Sequence, residues 1–194
     1  MSTETGLEDF QLGSTDDLHA HHVLNGINYY ISEMEDVLVI PVMTADGSRF
    51  QNPTDDLNKM PNKKYPLTLI VPYCLGTNHY EISIVKFSTI GVVATVDIYN
   101  VLKDGKGNAG LNIHDIITRK TCTQNVPGGK EETVYGLGID VGKVEPTFYK
   151  NNEDGIIFNA DGRCGDAVIA IARLAAVGME ITTENLGHIY DIET

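Results

Sequence analysis

The sequence contains no tryptophan, only three cysteines, and little positive charge: 14 Lys and Arg stand against 27 Asp and Glu, a formal net charge of −13 across 194 residues. Each shortage excludes something. Cys74, Cys122 and Cys164 are odd in number and form no CxxC pair, so neither a disulfide framework nor a cysteine zinc site is expected. No Lys/Arg cluster occurs, and phosphate binding draws its affinity from basic side chains, so nucleic acid and anionic membrane are poor partners. No apolar run reaches the length needed to span a bilayer, and Met1 to Asp16 lacks the basic, apolar and small-residue order of a signal peptide. A reducing, cytoplasmic setting without membrane insertion follows as the expectation.

Hydrophobic residues make up 42% of the chain, enough for the core of one domain. Residues 1–17 are polar and aperiodic, a loosely ordered lead-in, and 18–194 are expected to form a single domain. Asp16 or Asp17 can cap a helix in which Leu18, Val23, Leu24, Ile27, Tyr30 and Ile31 recur toward one side. Val37–Met43 reads as a short buried strand and Arg49–Lys64 as a polar connection. Leu67–Pro72, His79–Phe87 and Val92–Tyr99 read as the strands at the centre of a sheet, rich in β-branched and aromatic residues. Asp104–Gly110 and Thr121–Lys130 carry loop composition, with a short helix over Ile113–Ile117 between them. Thr133–Val144 is compatible with a strand interrupted by glycines. Gly165–Val177 is apolar on nearly every side, which for a helix means burial among other elements, and Gly178 is placed to end it. The fold class is therefore α+β, a mixed or antiparallel sheet packed against a buried helix.

Cys164 stands immediately before that helix. Free backbone N–H groups and the helix dipole favour an anion there, so a thiolate is stabilised and an oxyanion can be held by the same N–H groups. The competing reading is a small buried cysteine at a helix end. His79 opens a strand in which His79, Glu81 and Ser83 share the more polar face. With a hairpin turning around Thr89 and Phe87 opposite Gly91, His79 faces Tyr99, and Asp97 is its diagonal neighbour, able to orient the imidazole. A solvated polar face is the alternative. Nucleophile, base and acid in the order His, Asp, Cys would suit thiol acyl transfer and differ from the papain order, in which the cysteine comes first.

The segments Val23–Tyr30 (VLNGINYY), Leu67–Pro72 (LTLIVP), His79-Tyr80, Val96-Asp97 and Arg163-Cys164-Gly165 together resemble the ubiquitin-like-protease group of cysteine proteases, which includes SUMO proteases, adenovirus-type proteases and bacterial effector deubiquitinases. The resemblance implies a papain-like catalytic core in permuted order and an isopeptidase acting after a Gly-Gly tail. It implies ubiquitin or a ubiquitin-like protein as partner, no metal or cofactor, and a host-cytoplasmic location if the chain is a secreted effector. Ubiquitin is preferred over SUMO, because an acidic surface suits a basic partner face. Three positions depart from the family. Its glutamine before the cysteine is missing, leaving Asn159 as the nearest amide for the oxyanion and Gln124, in an irregular loop, as the distant alternative. Tyr80 replaces the tryptophan after the histidine and would line the channel for the tail, and Arg163 replaces an aspartate. Two other readings stay open: an acetyltransferase effector of the same fold, and a binding module with a failed site. His19, His21, His22, His114 and His188 show no metal-ligand spacing, and Gly136–Lys143 lacks the pattern of a phosphate loop.

Overall fold

The computed structural model describes residues 20–31, 34–43, 52–75, 79–101, 109–126, 130–150 and 164–186. Helix α1 (Ala20–Ile31) leads into two short strands, β1 (Val37–Val39) and β2 (Val42–Met43). The sequence reads as one strand there, but it breaks at Ile40-Pro41. The polar connection that follows holds a single helical turn, α2 (Thr54–Leu57), and a 3-10 turn at Met60–Asn62. Strands β3 (Leu67–Leu75), β4 (His79–Thr89) and β5 (Val92–Asn100) come next, then α3 (Ala109–Thr118), β6 (Thr121–Val126), β7 (Lys130–Tyr135), β8 (Thr147–Lys150) and α4 (Cys164–Ala176).

The main sheet is mixed. Its strands run in the order β1-β3-β4-β5-β8, with β2 continuing beside β3 beyond β1. The β3-β4-β5 meander is antiparallel, while β1, β2 and β8 pair in parallel with their neighbours. Pro72 falls where the partner of β3 changes from β1, which ends opposite Ile70, to β2, which begins opposite Tyr73. A residue without an N–H is tolerated at such a gap in the ladder.

Both faces of this sheet are covered, so the fold is α+β with two apolar layers. On the first face Val37, Ile70, Ile82, Ile84 and Tyr99 meet α1 through Val23, Ile27 and Ile31 and meet α4 through Ala167 to Ala176. On the second, Leu67, Leu69, Val71, Val85, Val96 and Ile98 meet α3 through Ile113, Ile116 and Ile117, together with Cys122 and Val134 of the β6–β7 hairpin. That hairpin occupies part of the stretch read from sequence as a loop, and residues 136–139 form no strand. They instead receive the end of α3: the N–H groups of Leu137 and Ile139 donate to the carbonyls of Ile116 and Ile117 at 2.7 and 2.9 Å.

Helix α4 ends as its sequence predicts. Gly178 takes a φ of 74°, its N–H donates to the Ala175 carbonyl, and the Met179 N–H donates to that of Leu174. This paired closure needs a left-handed residue, which glycine adopts without penalty. Gly178→Ala is accordingly expected to lower stability by about 1 kcal/mol, read by thermal unfolding; an unchanged midpoint would mean the turn relaxes at no cost.

Candidate active site

Cys164 is the first residue of α4, a helix of 13 residues whose body is buried. His79 is the first residue of β4, and Tyr80 is the second. The two elements pack together: α4 lies against β4 and, less extensively, β3. Candidate nucleophile and candidate base thus open two elements that pack together, but α4 covers the first face, whereas strand alternation puts position 79, with Glu81 and Ser83, on the second. Gly165 follows with no side chain, and Asp166, in the first turn, is buried at 1% exposure. Asn159 lies outside the described residues. Gln124 sits in β6 opposite Glu132, in a regular two-stranded sheet and not in an irregular loop.

The β4–β5 register corrects the expected relation between His79 and Asp97. The chain turns at Ile90-Gly91, where Gly91 has a φ of 76°, so that Thr89 stands opposite Val92. A bulge between Lys86 and Thr89 then displaces the ladder before it settles, with Ile84 opposite Asp97, Ile82 opposite Tyr99 and Glu81 opposite Asn100. An odd shift of register carries every side chain of a strand to the other face. Within the bulge Phe87 stands opposite Val93, so Val93, not Val92, shares the buried face, at 8% against 51% exposure. Asp97 shares its face with Ile84, whereas position 79 alternates in phase with Glu81 and Ser83, which belong to the opposite face. Asp97 is therefore not the diagonal neighbour of position 79.

Asn100 is. It stands directly opposite Glu81, two residues along β4 from His79, and is 5% exposed. A strand that ends at Tyr99, with carboxylates alone as orienting groups, leaves this amide out, whereas β5 runs on to Asn100. A correct hairpin register was the signal that would have found it.

Asp97 has other neighbours. It is half-buried, and desolvation raises its pKa against a smaller opposing influence from Lys86. Tyr99 and Tyr149 stack beside it, ring centroids 4.7 Å apart and 10° from coplanar. Burial first, then the Asp97 charge and Tyr149, push the Tyr99 phenol well above its usual range. Because the folded protein holds the Asp97 proton more firmly than the unfolded chain does, the contribution of Asp97 to stability is largest below its ordinary pKa of 3.8 and is lost as pH rises through the elevated folded value. Asp97→Asn is thus expected to raise the unfolding midpoint at pH 7 and to lose that advantage by about pH 3. Parallel melts at the two pH values check this; an equal gain at both would remove the charge from the explanation.

Among the described residues no group of three or more His, Cys, Asp or Glu side chains is placed to hold a metal ion, and no helix is long and apolar enough to cross a membrane. Comparison with known protein families finds no match to this chain, and comparison with curated proteins finds none.

Proposed function

We propose that this chain is a cysteine isopeptidase with a papain-like catalytic core, acting on ubiquitin or a ubiquitin-like protein that ends in Gly-Gly. The observation that supports the proposal is the packing of α4, which Cys164 opens, on β4, which His79 opens; the reaction requires position 79, the first of its strand, to depart from the alternation that places Glu81 and Ser83 on the face away from α4. Cys164 gives its thiol proton to His79 and attacks the carbonyl carbon of the terminal glycine. His79 then protonates the departing lysine amine, and a water molecule, deprotonated by the same imidazole, hydrolyses the thioester. Asn159 and the backbone N–H groups at the start of α4 hold the oxyanion. Tyr80 lines the channel for the tail. The third position passes from Asp97 to Asn100, whose amide oxygen can accept the Nδ1–H of the imidazole; a Cys-His-Asn set serves this role in papain-like enzymes. The site of action is the cytoplasm, that of a host if the chain is a secreted effector.

The test is covalent capture. Wild-type protein and Cys164→Ala are incubated with ubiquitin, SUMO and NEDD8 probes carrying a C-terminal electrophile. An adduct with wild type and none with the variant supports the proposal. Equal labelling of both removes Cys164 as nucleophile, and labelling by no probe removes the isopeptidase. An acetyl thioester on Cys164 after incubation with acetyl-coenzyme A would favour the transferase; silence in both assays would favour the binding module, which the missing tryptophan and glutamine already suit.

A further inference from the structure

Asp97, which the proposed reaction does not use, stands at the rim of the first face. Inward along β5 the next side chain on that face, Tyr99, is buried; outward, Thr95 is exposed and faces Lys86 of β4, also exposed. Asp97 itself is half-buried, with buried Ile84 beside it on β4 and exposed Thr147 beside it on β8. A carboxylate partly withdrawn from water is stabilised by hydrogen-bond donors or by a cation at contact distance. Among the described residues the Asp97 carboxylate has neither. Lys86 is its diagonal neighbour and acts on it only at a distance, and the Ser83 hydroxyl donates to the backbone carbonyl of Asp97, at 2.9 Å, instead of to its side chain.

The row inward of Asp97 is aromatic. Tyr99 and Tyr149 stand opposite each other and stack, and the Asp97 charge raises the pKa of both phenols, which places it close to the pair. One face of the Tyr149 ring lies on Tyr99; the other is turned away from it, on a half-buried residue of β8, which among the described residues pairs with β5 alone. A carboxylate and an aromatic face within a side chain's reach of each other suit a guanidinium, whose paired N–H groups donate to the carboxylate oxygens while its plane lies on the ring. An ammonium, a compact point charge, uses the carboxylate but gains less from the ring. We propose that Asp97 and Tyr149 form a binding site for a guanidinium group, the end of an arginine. The net charge of −13 draws such cations toward the chain. The stability expected to return on Asp97→Asn is then what the fold gives up to keep a carboxylate ready for its ligand. Neither Cys164 nor His79 takes part, so this site is independent of the isopeptidase reading.

The full chain, labelled with 15N, is titrated with N-acetyl-arginine methylamide, with its neutral citrulline isostere and with the lysine counterpart, and binding is read from the backbone amide shifts. The arginine probe is expected to bind with a Kd on the order of 1 mM, its shifts centred on Asp97, Thr147 and Tyr149. The citrulline probe should bind at least about tenfold more weakly, and the lysine probe about threefold more weakly. Asp97→Asn is expected to weaken the arginine probe about tenfold and Tyr149→Leu about threefold. Lys86→Ala should tighten it about twofold, because it removes a competing cation diagonal to the carboxylate; a merely structural Asp97 would not respond in that way. Thermal unfolding of each variant confirms that it is folded. No saturable shift by about ten times the expected Kd, citrulline or lysine binding as tightly as arginine, unchanged affinity in Asp97→Asn, or shifts confined to another part of the chain would each overturn the proposal. A glycine-flanked arginine peptide then identifies the source. Affinity equal to or above that of the small probe assigns an arginine of a partner protein, and loss of binding assigns a small free guanidinium compound.

Discussion

His79→Ala is expected to lower kcat for hydrolysis of the C-terminal aminocoumarin substrate by about a thousandfold, within the range that a positioned general base contributes. The informative comparison lies one strand away. Asn100→Ala should lose about a hundredfold through misplacement of the imidazole, whereas Asp97→Ala should stay within about threefold, its side chain belonging to the other face of the sheet. Steady-state kinetics on the three variants, with circular dichroism to confirm folding, decides between the two partners. A collapse in Asp97→Ala with Asn100→Ala unaffected would restore the carboxylate to the imidazole and require a local departure from strand alternation.

The largest expected loss of stability from a single added methyl group is at Gly136. A Cβ built there would stand 1.8 Å from the carbonyl oxygen of Arg119 and 2.7 Å from that of Ile116. Both obstacles are backbone, held where residues 136–139 take up the carbonyls at the end of α3. No rotamer change relieves such a clash, so the segment must move and disturb those hydrogen bonds. Gly136→Ala is expected to cost about 3 kcal/mol, at the upper end of overpacking effects, and to lower the unfolding midpoint by about 6–12 °C in a chain of this size. A midpoint within about 2 °C of wild type would mean that the connection yields freely.

The elements whose residues were chosen by burial were legible in the sequence. Helix α4 is apolar on nearly all sides and closes at a glycine, and β3 to β5 are dense in β-branched residues, so type and approximate extent could be read directly. Strands β6 and β8 were not legible. β6 is TCTQNV, with the composition of a loop, and β8 has four residues with little burial. Both are strands because partners lie beside them, a condition local sequence does not carry. The candidate site depended on the least legible quantity, the register. Moving the turn from Thr89 to Ile90-Gly91 exchanges Asp97 for Asn100 beside position 79, the ladder returning to the same register beyond its irregularity at Phe87. The burial of Glu81 was not legible for a related reason. Its polar face suggested solvent, but α3 and the β6–β7 hairpin cover that layer.

The β4–β5 hairpin also offers a handle. Its tip, with Ile90 at 63% and Val92 at 51% exposure, lies ten residues along β4 from His79, roughly 33 Å at the rise of a strand. A residue replacing Ile90 that carries a dye, a biotin or a surface tether through chemistry that spares thiols, and so spares Cys164, would therefore hang from the end of the ladder remote from Asn100. It would report on capture of a substrate without standing in its way.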